Sequence, residues 1–180
     1  MMLLTLRGTP VLYYGDEIGL PNVDVDQDHL RDPVGIRYYP AYPGRDPGRT
    51  PMQWSSEPGA GFTTGKAEPW LPFGDTAACN VETQRKDPNS VLHLCRDLIA
   101  LRRRTHDLES GDTTPLPAAE QVWAWRRGDG TVVAVNLGDT PAAVDGIRGR
   151  ILVATRRDRD GESANGALAL APWEGAVIAA

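Results

Sequence analysis

The stretch from Pro21 to about Asp87 has neither helical nor strand periodicity, and this limits the possible folds more than any other feature of the sequence. The chain has 19 glycines and 15 prolines, and 7 of the glycines and 8 of the prolines lie in residues 33–74. These residues favour turns, which we predict at Tyr42–Gly48 and Glu57–Gly61. A loop this long is usually functional or packed on a larger body. Its aromatic residues favour packing; they are Tyr38, Tyr39, Tyr42, Trp54, Phe62, Trp70 and Phe73.

A continuous apolar segment, Val11–Tyr14, precedes this loop and ends at Gly15. Continuous apolarity predicts a strand that is buried on both faces of a parallel sheet. Such a strand needs hydrogen-bonded neighbours, and the sequence offers no second parallel strand. A chain of 180 residues is also shorter than the roughly 250 residues of a complete (β/α)8 barrel. Asp16 and Glu17 lie just beyond the carboxyl end of the predicted strand, which is where α/β barrels carry their functional residues.

The segment after the loop has the clearest helical pattern in the chain. Asp87 and Pro88 resemble an N-cap followed by proline at the first helical position. Arg102–Arg104 would lie in the last turn, where positive charge favours the exposed carbonyls. Apolar residues recur between these ends at helical spacing, at Val91, Leu92, Leu94, Cys95, Leu98, Ile99 and Leu101.

Beyond Gly111 the hydrophobic pattern changes to a period of two. Gln121–Arg126 and Thr131–Leu137, joined by Asp129 and Gly130, predict a β-hairpin. Three further short strands are predicted at Ile151–Thr155, Ala167–Ala171 and Gly175–Ala179. The strands predict a small antiparallel β-sandwich. The fold class is thus α/β plus all-β, with a β-sandwich domain in residues 112–180.

Composition narrows the range of functions. The net charge is -5 and no basic stripe is present, so we expect neither nucleic acid nor a membrane as partner. No apolar stretch reaches the ~20 residues needed to cross a bilayer, and the N-terminus lacks the pattern of a signal peptide. Cys79 and Cys95 are expected to be reduced and buried, which favours a cytoplasmic location.

The arrangement of reactive residues excludes several chemistries. The three histidines are too far apart in sequence for a metal site, so neither a metal nor a cofactor is expected. Gly15–Gly19 carries acids where a phosphate loop would bind an anion. The carboxylates, arginines and aromatic residues of the first 75 residues have the composition of a sugar site, in which aromatic rings cover sugar faces while Asp and Arg bind hydroxyls.

Several motifs resemble the C-terminal part of α-glucosidases of the α-amylase superfamily, glycoside hydrolase family 13. The main ones are RGTPVLYYGDEIG at residues 7–19 and GRDPGRTPMQW at residues 44–54. The others are AGFT at 60–63, RDPVGIRYYP at 31–40, NVE at 80–82 and LIALR at 98–102. Together they cover residues 1 to about 104, and the β-rich remainder is similar in order and size. The resemblance implies that residues 1–111 are the last strand, the following loop and the last helix of a (β/α)8 barrel, and that residues 112–180 are a C-terminal β-sandwich domain.

The resemblance implies that the catalytic machinery lies outside this chain. In this family the nucleophile, the general acid and a third aspartate lie on earlier barrel strands, upstream of the segment that matches Met1. Retaining hydrolysis needs two carboxyl groups roughly 5–5.5 Å apart with opposite protonation states. Asp16 and Glu17 are adjacent on a chain leaving a strand, so they should diverge. We expect them to be buried acids that bind the loop backbone, and we assign no catalytic residue.

The resemblance does imply substrate-binding residues. Arg49 matches the arginine that helps hold the non-reducing-end glucose and pairs with an upstream aspartate, a task that suits the guanidinium fork. Asp46 is the second candidate, although Pro47-Gly48 departs from the Gly-Cys pair common in this branch. Trp54 and Phe62 are expected to be core residues.

We therefore expect a C-terminal fragment of a retaining α-glucosidase that acts on α-glucosides or malto-oligosaccharides in its full-length form and is inactive alone. Two alternatives stay open. One is a non-catalytic carbohydrate-binding or structural β-sandwich module. The other is a complementing half that needs a separate upstream barrel chain.

Overall fold

The computed structural model describes residues 1–180, which form two compact units. The first unit contains residues 1–11 and 93–180, and the second contains residues 12–92. None of the helices is both long and apolar enough to cross a membrane. The division into residues 1–111 and 112–180 stays a prediction.

The first unit is built on one antiparallel sheet of six strands in the order β1-β2-β3-β6-β4-β5. The predicted antiparallel β region is therefore confirmed. The strands are β1 (Thr113–Pro115), β2 (Val122–Arg127), β3 (Thr131–Asn136), β4 (Ala142–Ala154), β5 (Ser163–Leu170) and β6 (Gly175–Ala179).

The hairpin of β2 and β3 forms as predicted, with Arg127 opposite Thr131 across the Asp129-Gly130 turn. Sequence analysis missed β1, residues 142–150 of β4 and residues 163–166 of β5. Strand β4 carries Gly149 at φ 142, and a Cβ there would lie 1.9 Å from the carbonyl oxygen of Ala179. The glycine therefore lets the strand approach β6, and it also interrupts the apolar pattern that would have revealed the strand.

Both faces of this sheet are buried. On one face Val132, Ala134, Val144, Ile151 and Ile178 belong to a core built from β2 to β6. The other face is covered by α1 (Met2–Thr5), α4 (Val91–Arg104) and α5 (His106–Ser110). Its core joins helix and strand side chains, including Leu4, Leu98, Leu101, Leu108, Trp125, Val133 and Val177.

The predicted helix is α4, but it begins at Val91 and not at Pro88. The carboxylate of Asp87 accepts a hydrogen bond from the amide of Asn89 at 2.9 Å, and its carbonyl accepts from Ser90 at 3.1 Å. These bonds form a turn that precedes the helix. The apolar spacing correctly predicted the buried face, with Leu98 and Leu101 fully buried.

The predicted strand at Val11–Tyr14 was wrong. Residues 9–13 have no regular secondary structure, and all four side chains from Val11 to Tyr14 are exposed. All six strands of the chain lie between residues 113 and 179, so no strand is available to pair with this segment. Its apolar side chains are left without cover because nothing in the chain supplies the neighbouring strands.

The second unit is mostly loop, as predicted, but contains two short helices. Helix α2 (Pro33–Tyr38) begins after Asp32, whose side chain accepts from the amide of Val34, and helix α3 (Val81–Lys86) begins after Asn80, which caps Thr83. Both N-caps were readable in the sequence. Ile18, Met52 and Val81 form a small core in this unit, and Val25, Leu30 and Leu71 form another.

Two expectations about burial were wrong in this region. Most of the loop aromatic residues are exposed within the chain, including Trp54 at 45% and Phe62 at 39%, both expected in the core. Phe62 instead packs edge-on against Trp70 and Phe73. Neither Cys79 nor Cys95 forms a disulfide, and both side chains are half-buried and not fully buried as predicted. Burial raises the pKa of the Cys79 thiol.

Candidate functional site

Asp46 lies in a short 3₁₀ turn, Asp46–Gly48, and is almost fully buried. One carboxylate oxygen, Oδ2, accepts hydrogen bonds from the backbone amides of Arg31 at 2.5 Å and Asp32 at 2.7 Å. This candidate substrate-binding residue therefore ties the turn to the segment before α2. Its predicted contact with a sugar stays a prediction.

Asp32 makes the reciprocal connection, which sequence analysis did not anticipate. Its Oδ2 accepts from the amide of Arg45 at 2.9 Å and from Nε of the same residue at 3.2 Å, and Oδ1 accepts from the amide of Val34 at 3.1 Å. The backbone amides of Arg45 and Val34 hold the pKa of this carboxyl below its ordinary value. The Asp32-Pro33 pair was the available signal, because it marks a helix N-cap.

The two aspartates form what we call the aspartate clamp, Asp32 with Asp46. The segment around Asp32 and Gly35 packs closely against the segment around Pro43 and Gly44. A Cβ on Gly35 would lie 2.3 Å from the carbonyl oxygen of Pro43, and one on Gly44 would lie 2.8 Å from Oδ2 of Asp32. Only residues without side chains fit at these two positions. The clamp and the close packing together fix the backbone that carries Arg49.

Arg49 follows the turn, and its backbone is held on both sides. Its amide donates to the carbonyl of Asp46 at 2.9 Å, and its own carbonyl accepts from the indole Nε1 of Trp70 at 3.0 Å. The side chain is exposed, and its guanidinium takes part in no ion pair within the chain. A cation on a fixed backbone is thus available to an anionic or hydroxyl-bearing partner.

Tyr14 lies near this arginine. Its hydroxyl donates to the carbonyl of Thr50 at 3.0 Å, and its ring lies 4.6 Å from that of Tyr13. Burial and the hydrogen bond with Tyr13 raise the pKa of Tyr14, while the positive charge of Arg49 acts in the opposite direction. The loop thus places two exposed aromatic rings close to the guanidinium.

Two open hollows adjoin Arg49. One, of about 250 Å³, is lined by the aspartate clamp with Arg31, Pro33, Trp70 and Leu71. The other, of about 620 Å³, is lined by Tyr13, Asn22, Asp24 and Tyr42 together with the turn itself. Both hollows share Arg45 and Arg49. They offer charged, polar and aromatic groups of the kinds that a sugar site uses.

Asp16 and Glu17 bind the loop backbone, as expected. The amide of Tyr13 donates to Oδ2 of Asp16 at 2.9 Å, and that of Gly15 donates to Oε2 of Glu17 at 2.8 Å. The prediction that both acids are buried was wrong, since Asp16 is exposed and Glu17 is half-buried. Elsewhere, no cluster of three or more His, Cys, Asp or Glu side chains is placed to hold a metal ion.

Comparison with known proteins agrees with these features. The sequence profile described as the catalytic domain of alpha amylase matches residues 1–111, well over half of the chain. The chain belongs to the alpha-amylase family. A domain of unknown function, DUF3459, matches residues 109–177. The expected resemblance to glycoside hydrolase family 13 is therefore confirmed.

Relatives of this alpha-amylase family chain are much longer than the chain itself. A probable alpha-glucosidase of Rhizobium meliloti is 41% identical over 112 residues, which are 62% of this chain and 20% of the relative. An oligo-1,6-glucosidase of Parageobacillus thermoglucosidasius is 37% identical over 122 residues, covering 57% and 21%. The chain thus spans about a fifth of the length of these relatives.

Solved structures of the family match nearly the whole chain. The alpha-glucosyl transfer enzyme XgtA superposes with a TM-score of 0.81 at 36% identity, covering 98% of this chain and 34% of that one. The trehalulose synthase MutB of Pseudomonas mesoacidophila superposes with a TM-score of 0.85 at 27% identity, covering 99% and 36%. The chain therefore has the fold of about one third of such an enzyme.

Proposed function

We propose that this chain is the C-terminal part of an α-glucosidase-type glycoside hydrolase, in which it supplies one wall of the glucose subsite. The observation that carries the proposal is the Arg49 guanidinium, exposed and unpaired on a backbone fixed by the aspartate clamp. Arg49 binds the hydroxyls of the non-reducing-end glucose and pairs with an aspartate of the preceding barrel region. Asp46 contributes to this subsite by holding the turn.

The substrate class follows from the relatives, which are named as an alpha-glucosidase and an oligo-1,6-glucosidase. An α-glucoside or malto-oligosaccharide would therefore bind to the full-length enzyme. The acid and the nucleophile come from the preceding barrel region, as part of the same polypeptide or as a separate chain. The two cysteines form no disulfide, which supports a cytoplasmic location. Recovery of the protein in the periplasmic or secreted fraction of the producing cells would contradict this location.

The experiment is to join the 180 residues to the part of XgtA that precedes its matching third, and to measure hydrolysis of an aryl α-glucoside. Removing one partner of a buried charged pair costs about 2–5 kcal/mol, so Arg49→Ala should lower kcat/KM by about 30-fold or more. Arg49→Lys should have a kcat/KM little higher than that of Arg49→Ala, because an ammonium lacks the planar fork of donors that a guanidinium has. Arg37→Ala is the matched control, since Arg37 is an exposed arginine on α2. Equal effects at both positions would contradict the proposal.

A further inference from the structure

Asn165 differs from the other four asparagines of the chain because a glycine follows it. It lies on β5, which is an edge strand because it is the last strand in the sheet order, and its side chain is exposed. That side chain takes part in no hydrogen bond within the chain. Asn80 and Asn136, in contrast, are buried and hydrogen-bonded through their side chains. The amide of Asn165 is therefore accessible and unrestrained.

The Asn165-Gly166 peptide lies where the ladder between β4 and β5 is interrupted. The register pairs Ala167 with Asp145 and then Asn165 with Arg148. Two residues of β4 therefore lie opposite Gly166, which has no register partner. Gly166 has φ 119, a backbone conformation that residues with a side chain rarely adopt. The peptide thus has an irregular ladder on one side and the open edge of the sheet on the other.

The guanidinium of Arg148 lies beside this peptide. A Cβ on Gly166 would lie 3.7 Å from Nη2 of Arg148, which is also the register partner of Asn165. Arg148 is exposed and takes part in no ion pair within the chain. Its positive charge is thus available to stabilise negative charge that develops on either residue.

We propose that Asn165 is a site of spontaneous deamidation. The backbone nitrogen of Gly166 loses its proton to solvent and attacks Cγ of Asn165, and the new C–N bond displaces the side-chain amide as ammonia. Water then opens the five-membered succinimide ring, which yields aspartate or isoaspartate. One water is consumed and one ammonia is released, and nothing is oxidised or reduced. Gly166 favours the attack because no Cβ hinders its nitrogen, and Arg148 stabilises the anionic nitrogen and the tetrahedral oxyanion.

The product differs from Asn165 in charge and, as isoaspartate, also in the length of the main chain. A carboxylate at this position lies opposite Arg148, and opposite charges that face each other across two strands attract. The modification adds a negative charge to a chain whose net charge is already -5. It leaves the core face of β5, which carries Ala164 and Leu168, unchanged. This inference is independent of the proposed function.

The test is to incubate the purified chain at neutral pH and to follow its tryptic peptides by mass spectrometry. Residues 160–180 form one such peptide, in which Asn165 is the only asparagine. We expect its amide to be converted to an acid at least ten-fold faster than that of Asn89, which is also exposed but is followed by serine. An isoaspartate-specific methyltransferase should label the same peptide. Equal rates at the two asparagines, in a chain that stays folded, would overturn the proposal.

Arg148→Gln tests whether the reaction belongs to the folded chain. Arg148 is 17 positions from Asn165 in the sequence and lies opposite it only when β4 and β5 are paired. We expect the variant to deamidate at least three-fold more slowly than the wild type. Arg150→Gln is the matched control and should not change the rate, because Arg150 is exposed on the same strand but pairs with Ser163. Equal rates in Arg148→Gln and the wild type would overturn the assignment of the reaction to the paired strands.

Discussion

At the scale of single residues, the candidate site is held together by carboxylates that accept hydrogen bonds from backbone amides. Asp46 and Asp32 each accept at least two backbone hydrogen bonds, and Asp16 and Glu17 accept one each. A carboxylate that accepts hydrogen bonds from backbone amides holds the loop in place. The exposed charge near the two hollows therefore comes mainly from arginine.

The pKa of Asp32 predicts how this loop responds to acid. Because the pKa is lower in the folded chain than in the unfolded one, ionised Asp32 stabilises the loop above its ordinary pKa of about 3.9, and this contribution is lost as the pH falls through the folded value. We expect the amides of Val34 and Arg45 to lose protection from exchange between pH 5 and about pH 2, after correction for intrinsic rates.

Asp32→Asn is the control for this titration. The variant should show weaker protection of the same two amides at pH 5 and no further loss on acidification, because the group that titrates is gone. Wild-type protection that persists unchanged at low pH would show that ionisation of Asp32 does not hold the loop.

At the scale of secondary structure elements, two arginines anchor the N-terminal segment to the rest of the first unit. Arg102 on α4 donates to the carbonyls of Leu4, Leu6 and Gly8 at 3.0, 2.9 and 2.6 Å. Arg127 on β2 is fully buried and donates to the carbonyls of Thr5 and Gly111. Burial, followed by the charge of Arg102, lowers the pKa of Arg127.

Arg127→Met should therefore destabilise the first unit. The variant leaves two carbonyls without their charged donor, at a cost of about 3 kcal/mol in the free energy of unfolding. Arg126→Met is the neighbouring control, because Arg126 is half-buried and bonds only the carbonyl of Asp129, so its cost should stay below about 0.5 kcal/mol. Urea unfolding measures both, and equal values would show that Arg127 is not an anchor.

Helix α3 gives an independent test in the second unit. The side chain of Asn80 accepts from the amide of Thr83 at 2.8 Å and donates to the carbonyl of Thr76 at 2.8 Å. Asn80→Ala should cost about 1–2 kcal/mol and speed exchange of the Thr83 amide. Asn89→Ala, in an exposed turn, should leave that amide unchanged. An unaffected Thr83 amide in the Asn80 variant would contradict the role of this cap.

The elements that sequence analysis predicted correctly are those specified by nearby residues. The β2–β3 hairpin follows from alternation around Asp129-Gly130, and the buried face of α4 follows from its apolar spacing. The strand at Val11–Tyr14 failed because strand formation needs partners that the chain does not contain. Arg49 and Asp46 were selected by resemblance alone, and the role of Asp32 was missed because it depends on contacts 13 residues away in sequence.

At the scale of the whole molecule, the chain has the fold of about one third of an alpha-amylase family enzyme. Apolar side chains are therefore exposed where the rest of such an enzyme would pack against them. Val11–Tyr14 and most of the loop aromatic residues are exposed in the isolated chain, and so are Trp123, Leu137 and Trp173 in the first unit. We expect the remaining two thirds of such an enzyme to cover them and to supply the two carboxyl groups that retaining hydrolysis requires.

The most direct measurement is hydrolysis of maltose and of an aryl α-glucoside by the purified 180-residue protein. We predict no release of glucose or of the aryl alcohol above the rate of the uncatalysed reaction. Turnover by the pure protein that is lost in Asp16→Asn or Glu17→Gln would contradict the account, because it would place the acid or the nucleophile within this chain.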